Sequence, residues 1–264
     1  MHSVPVDSLD DPRLAPYRNL KERDLAREGN RFIAESEQIV RRLLASDFPV
    51  ESVLLVRKRA AEIAPLIPST TSVYVVPDEL MEHVIGFKFH SGVIACGVRK
   101  PAVKLDEAMN RLGERAIILI CPEVANNENL GSLMRIAAGF GVDAMVLGEQ
   151  CCDPFYRQSI RVSMGTVFKL NIIQSPNLKM DLEAMKDRWQ FELAAAVLDD
   201  SAERLRLAGR APRMGLLFGN EAQGLPSEII ACCNRKITIP MKLGTDSLNV
   251  AVAAGVFLYH FTDG

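Results

Sequence analysis

Short apolar runs recur at steady intervals in the later part of this 264-residue chain, at residues 117–121, 144–147, 167–173, 191–197, 215–218 and 237–239. The stretches between them carry helical periodicity. Strands that are apolar on both sides need cover on both faces, and helices that return each strand to the same direction supply it. The pattern predicts an α/β fold built on a parallel sheet. In such sheets ligands sit beyond the carboxyl ends of the strands, so chemistry is to be sought in the segments just after these runs.

The first hundred residues follow a different rhythm. Strand-like runs stand at 53–56, 73–76 and 93–96, separated by helical or turn segments. A helix is expected over 32–45, with Phe32, Ile33, Ile39, Val40, Leu43 and Leu44 near one another and Glu35, Gln38, Arg41 and Arg42 toward solvent. The stretch 99–115, with Lys100, Pro101 and Lys104, reads as a linker merging into a helix. Two domains follow: a small α/β domain with an N-terminal extension over 1–105, and a larger one over 106–264. A hydrophobic content of 48% is enough to bury real cores.

Charge narrows the partners. The formal net charge is −2, so nothing resembles a tail that holds nucleic acid by bulk positive charge. Residues 18–59 carry ten Lys or Arg against seven acids, a local +3, so any polyanion contact must be local. The first twelve residues hold Asp7, Asp10 and Asp11 and no apolar run, which argues against a secretory signal. The longest apolar stretch, 248–261, is shorter than the roughly 20 residues a bilayer span needs. A cytoplasmic protein with no membrane partner is expected. Six cysteines form two adjacent pairs but no CxxC, and buried thiols are the expectation. His2, His83, His90 and His260 are scattered, so no metal site is expected.

Three segments stand where a parallel sheet would place a ligand. The first runs from Asn126 through Asn129, Gly131 and Arg135 to Ala137. Asn129 is suited to cap a helix whose buried stripe is Leu130, Leu133, Met134, Ala137 and Ala138, leaving Ser132, Arg135 and Gly139 on the other side. The second is Phe218-Gly219-Asn220-Glu221-Ala222-Gln223-Gly224-Leu225-Pro226, where two glycines allow a tight turn and Glu221 can accept hydrogen bonds from loop amides. The third runs from Ile239-Pro240-Met241 to Ser247-Leu248-Asn249-Val250, with Asp246 or Ser247 as the expected cap of a final helix. That helix is apolar on nearly every face, and it belongs either in a core or in a subunit interface.

In combination and order, N-x-G-x-x-x-R-x-A, then F-G-N-E-x-x-G-L, then I-P-M followed by S-L-N-V, these segments resemble the SpoU (TrmH-like) branch of the SPOUT methyltransferases. The resemblance covers roughly residues 115–262, and Arg161-Val162-Ser163-Met164-Gly165-Thr166-Val167-Phe168 is similar to the family as well. Phe32-Ile33-Ala34-Glu35 and Gly86-Phe87-Lys88-Phe89-His90-Ser91-Gly92 resemble the L30e-like RNA-binding domain that many members carry. The implied architecture is a SPOUT-type parallel-sheet domain with a deep trefoil knot, preceded by an L30e-like α/β domain. His90 then reads as a structural residue or an RNA contact. The implied activity is transfer of a methyl group from S-adenosylmethionine to a ribose 2′-hydroxyl of a structured RNA, ribosomal RNA favoured over transfer RNA, by a homodimer.

Carried over residue by residue, the resemblance implies that Gly219, Ile239, Met241 and Leu248 hold the cofactor, largely through main-chain groups. Asn129, Arg135, Glu221, Ser247 and Asn249 form the implied polar set around the reaction centre. A guanidinium has a pKa above about 12 and stays protonated. Arg135 is therefore expected to gather the RNA phosphate and stabilise the developing alkoxide, with Asn129, Ser247 and Asn249 orienting ribose or loops and Glu221 bracing the knot. Two departures from the family pattern touch substrate details: Asn126-Asn127 stands where Asp-Pro is usual, and Ala251 where a serine is often found. An RNA-binding protein of this fold without catalysis is the alternative. A dinucleotide-binding oxidoreductase is disfavoured because no G-x-G-x-x-G follows the run at 117–121.

Overall fold

The computed structural model describes residues 3–18, 20, 30–243 and 247–262. The chain divides into two compact units, one of Met1–Pro101 with Phe155–Phe168 and one of Ala102–Pro154 with Lys169–Gly264.

The first unit is built on a five-stranded mixed sheet of β1 (Ser3–Pro5), β2 (Arg31–Glu35), β3 (Val50–Val56), β4 (Ser72–Val76) and β5 (Val93–Val98), in the order β1-β4-β3-β5-β2. Helices α1 (Glu37–Leu44), α2 (Arg57–Ile63) and α3 (Asp78–Ile85) connect the strands. The expected helix over 32–45 begins too early, because residues 31–35 form a strand antiparallel to β5. Phe32, Ile33, Ala34 and Glu35 are all buried, and Ser36, at φ 80°, breaks the chain before α1. A left-handed residue cannot continue an α-helix, so the apolar run is shared between two elements. One core cluster gathers Leu14, Tyr17, Ile33, Leu54, Met81 and Ile94.

The second unit begins with α4 (Leu105–Asn110), β6 (Ala116–Cys121), α5 (Asn127–Gly139) and β7 (Ala144–Leu147). From Phe155 to Phe168, with α6 (Arg157–Val162), the chain belongs to the first unit. It then continues through β8 (Ile172–Gln174), α7 (Leu178–Trp189), β9 (Glu192–Ala196), β10 (Glu203–Arg204), β11 (Arg213–Leu217), α8 (Ser227–Ala231), β12 (Arg235–Thr238) and α9 (Val250–Thr262). The seven strands lie in the order β10-β12-β9-β11-β6-β7-β8, and every pairing is parallel. All six residues of β6 are buried, as a central strand covered on both faces requires. Each fully buried Leu or Ile contributes about 2 kcal/mol, and one core cluster on this sheet gathers Ile118, Ile120, Leu182, Leu193 and Leu217.

The segmentation into two domains split at residue 105 misses the stretch Phe155–Phe168. The apolar run at 167–173 is likewise divided: Phe168 sits in a single 3-10 turn (Thr166–Lys169) of the first unit, whereas Ile173 is in β8. The division between the units falls between Phe168 and Lys169. Cys96, Cys121 and Cys232 are buried thiols, while Cys151, Cys152 and Cys233 are half-buried. Among the described residues no helix is long and apolar enough to cross a membrane.

Candidate active site

Because the strands are parallel, β6, β11 and β12 direct their carboxyl ends to the same edge of the sheet. β6 and β11 are neighbours, and only β9 separates β11 from β12. Each of the three motif-bearing segments leaves this edge.

After β6, α5 is capped by Asn126 and not by Asn129. The Asn126 side-chain oxygen accepts the main-chain N–H of Glu128 at 2.7 Å and of Asn129 at 3.4 Å. The helix therefore starts earlier than expected, and the side chain of Asn129, in its first turn, remains available to other loops. Leu130, Gly131, Leu133, Met134 and Ala137 are buried, and Arg135 is exposed. Among the described residues the Arg135 guanidinium makes no ion pair or hydrogen bond.

The loop after β11 is closed by paired main-chain bonds between Asn220 and Gly224, at 3.0 and 2.8 Å. Its amides at Ala222 and Gln223 bond the side chain of Asn220, at 2.9 and 3.3 Å, and not Glu221 as expected. The shorter Asn side chain reaches amides two and three residues ahead, which leaves the exposed Glu221 for another partner. Gly219 is required by space: a Cβ there would stand 2.2 Å from the carbonyl carbon of Gly224.

After β12, Ile239, Met241 and Leu248 are half-buried and Ser247 is exposed. Asp246 lies outside the described residues. The cap of α9 is Asn249, whose side-chain oxygen accepts from Ala251 at 2.9 Å and Val252 at 3.4 Å, so Ser247 is free of the expected capping role.

Three of the five expected polar residues meet. The Asn129 amide donates to Glu221 Oε1 at 2.5 Å, and the Asn249 amide donates to Asn129 Oδ1 at 2.9 Å. One side-chain chain thus links the loops after β6, β11 and β12. Arg135 and Ser247 are not part of it. Arg135 stands six residues beyond Asn129, about 9 Å along the helix at 1.5 Å per residue. Asn126 and Asn220 organise two of the loops, in the roles the sequence reading gives to Asn129 and Glu221; the signal for them is an Asn two residues ahead of loop amides that need an acceptor.

Behind the loops lie three thiols. Cys151 Sγ donates to the carbonyl of Cys121 at 3.0 Å, and burial pushes the Cys151 thiol up to about 11 and the Cys152 thiol up to about 12. A cavity of about 460 Å³ has Ile239 and Pro240 in its wall with Leu205, Arg206, Val256, Tyr259 and His260. Gly219, Met241 and Leu248 do not line it. Among the described residues no cluster of three or more His, Cys, Asp or Glu is arranged to hold a metal ion.

Residues 116–259 match the model of the SpoU rRNA methylase family. An uncharacterized tRNA/rRNA methyltransferase of Mycobacterium tuberculosis is 34% identical over 261 residues, covering 96% of this chain and 89% of that protein. The 23S rRNA (guanosine-2′-O-)-methyltransferase RlmB of Acinetobacter baylyi is 28% identical over 195 residues, 73% of this chain and 78% of its own. The crystal structure of an AdoMet-bound rRNA methyltransferase from Sinorhizobium meliloti superposes with a TM-score of 0.81 at 23% identity, covering 98% of this chain and 97% of that one, and so shares the fold. The chain belongs to the SpoU rRNA methylase family. It is by class an S-adenosylmethionine-dependent RNA methyltransferase.

Proposed function

We propose that this protein methylates a ribose 2′-hydroxyl of ribosomal RNA, in the cytoplasm and as a homodimer. The single observation that carries the reading is the Glu221–Asn129–Asn249 bridge, which draws together the three motif-bearing loops at one edge of the sheet. The named activity of the Acinetobacter relative, 2′-O-methylation of 23S rRNA, supports ribosomal RNA as the target.

Gly219, Ile239, Met241 and Leu248 fit S-adenosylmethionine by their chemistry. They carry no charged side chain, they are half-buried at the ends of β11 and β12, and their main-chain groups can read an adenine edge between apolar side chains. The nearby Glu221 carboxylate favours a cationic sulfonium over a neutral analogue. When bound, the cofactor supplies a methyl group already activated by positive charge.

The protein's own work is alignment and help with one proton. Arg135, held outward by the buried stripe of α5, gathers an RNA phosphate and stabilises the alkoxide as the hydroxyl proton leaves to phosphate or solvent. Asn129, Asn249 and Ser247 hold the loops and the ribose; orientation of this kind can supply several kcal/mol of the barrier. Glu221 braces a trefoil knot formed by the loops after β11 and β12. The first unit acts as an L30e-like RNA-binding domain, and the exposed apolar face of α9 is the dimer contact.

The test is to map 2′-O-methyl positions in total RNA from cells with and without the protein, alongside calorimetry with S-adenosylmethionine. Loss of one ribosomal site on deletion, restored by wild type but not by Arg135→Ala that still binds cofactor, is the expected result. Binding of RNA with no methylation change would instead favour the non-catalytic reading.

A further inference from the structure

In the first unit the loop between α3 and β5, residues 86–92, alternates its side chains. Phe87 and Phe89 are half-buried and meet edge to face at 6.2 Å, while Lys88 and His90 are exposed. Two aromatic rings pack against the core, and Lys88 and His90 face solvent. The loop offers Lys88 and His90 to solvent with its two rings seated.

Phe87 packs against the core of its unit on one side, and what covers its ring comes from far along the chain. Arg157, at the start of α6, lays its guanidinium over the Phe87 ring at 4.8 Å and donates to Glu35 at 2.6 Å. Glu35 ends β2 with its side chain 7% exposed, and Arg157 is 19% exposed. An anion buried that deeply requires its cation, and the pair fixes the guanidinium plane that the ring stacks on. The stretch carrying Arg157 is itself anchored to the unit. Phe155 and Phe168 pack on Phe32 at 5.4 and 5.5 Å and on Phe48 at 5.4 and 5.7 Å, and Arg42 donates to the carbonyl of Met164.

We infer that Arg157 is a positioning residue for RNA recognition: a stretch encoded between two strands of the methyltransferase sheet reaches into the first unit and holds the 86–92 loop in the shape that presents Lys88 and His90. The inference rests on the reading that the first unit binds RNA. It makes the methyltransferase part of the sequence a determinant of how the substrate-binding part is shaped. Arg157 acts through Phe87, with no contact to cofactor or reacting atoms required of it.

The experiment uses the full chain and four variants. Because Arg157→Met alone leaves Glu35 buried without its cation, it is paired with the double variant Glu35→Gln with Arg157→Met. Lys88→Glu reports on the RNA reading itself. The double variant should raise KM for RNA by about tenfold, the scale of a desolvated cation–π contact, with S-adenosylmethionine affinity within about twofold of wild type. Amide exchange of residues 86–92 should quicken in the same variant while β6 and β11 keep their protection. Arg157→Lys, which keeps charge but not the planar stack, should recover only part of the loss.

Unchanged exchange of the loop overturns the inference whatever the RNA result. If Lys88→Glu raises KM for RNA and the double variant does not, Arg157 has no positioning role and the RNA reading stands. If Lys88→Glu is silent, the RNA reading of this loop fails, and the exchange measurement alone decides whether Arg157 shapes it.

Discussion

The side-chain amide of Asn129 points its N–H at Glu221, 2.5 Å away, while its oxygen accepts from Asn249 at 2.9 Å. Only an amide does both, since one end donates and the other accepts. Asn129→Asp would set two carboxylates against each other and should lower methyl transfer more than Asn129→Ala does. Adding Glu221→Gln to Asn129→Asp restores one donor and should recover part of the loss, with a coupling of about 1 kcal/mol in a double-mutant cycle on kcat/KM. Strict additivity of the two changes would show that the bridge has no part in the reaction.

Gly219 is fixed by a backbone neighbour and not by a movable side chain. A Cβ at this position would lie 2.2 Å from Gly224 C, 2.4 Å from Gly224 O and 2.4 Å from Leu225 N. Gly219→Ala must push apart the loop that Asn220 and Gly224 close, at a cost of about 1–3 kcal/mol. Urea unfolding should move to a lower midpoint, and affinity for S-adenosylmethionine should fall with it. A variant with the wild-type midpoint and full affinity would remove Gly219 from the cofactor loop.

Periodicity placed the sheet of the second unit well because its strands are buried on both faces, so that β6 is apolar throughout and β11 is free of polar side chains from Met214 to Leu217. It misplaced what depends on single dihedrals or on distant partners. The strand β2 reads as helix because Phe32 and Ile33 precede Ile39 and Val40 at helical spacing, and only the left-handed Ser36 separates them. The motifs drew attention to Asn129, Glu221 and Asn249, and the structure gives them one hydrogen-bonded chain. The pairing itself was illegible, since Glu221 and Asn129 stand 92 residues apart. The same holds for Phe155–Phe168: its aromatic residues look like ordinary strand and loop residues until the ring cluster with Phe32 and Phe48 is seen.

The thiols behind the loops should be inert. Burial raises Cys151 from 9.0 to about 11 and Cys152 from 9.0 to about 12, so at pH 8 the thiolate is roughly a hundredfold scarcer at Cys151, and roughly a thousandfold scarcer at Cys152, than in an exposed cysteine. Peptide mapping after iodoacetamide should show both alkylated far more slowly in the native protein than in urea. The same shifts fix the sign of a pH effect. A folded-state pKa raised above the unfolded one gives stability that is complete below pH 9 and is lost as pH rises toward 11 and 12. Rapid native labelling at pH 8 would contradict this burial.

The final helix offers the surface on which the proposed dimer can be tested. Ala251, Ala254, Phe257, Leu258 and Phe261 are buried, and Phe257 meets Phe218 edge to face at 5.3 Å, so one face of α9 is committed to the core of its own unit. The other face carries Val252, Val256 and Tyr259, exposed by 52%, 42% and 63%, at helical spacing on a single stripe. Of the two places expected for this helix, a core or a subunit interface, the stripe leaves the second open, and an apolar stripe beside a cavity that Val256 and Tyr259 also line is suited to a second copy of the chain. Sedimentation at micromolar concentration should give a dimer. Val256→Asp places a charge at its centre and should weaken self-association by about 2 kcal/mol, the scale of an interface hot spot. Wild-type protein sedimenting as a monomer, or a Val256→Asp dimer of unchanged affinity, would move the contact elsewhere.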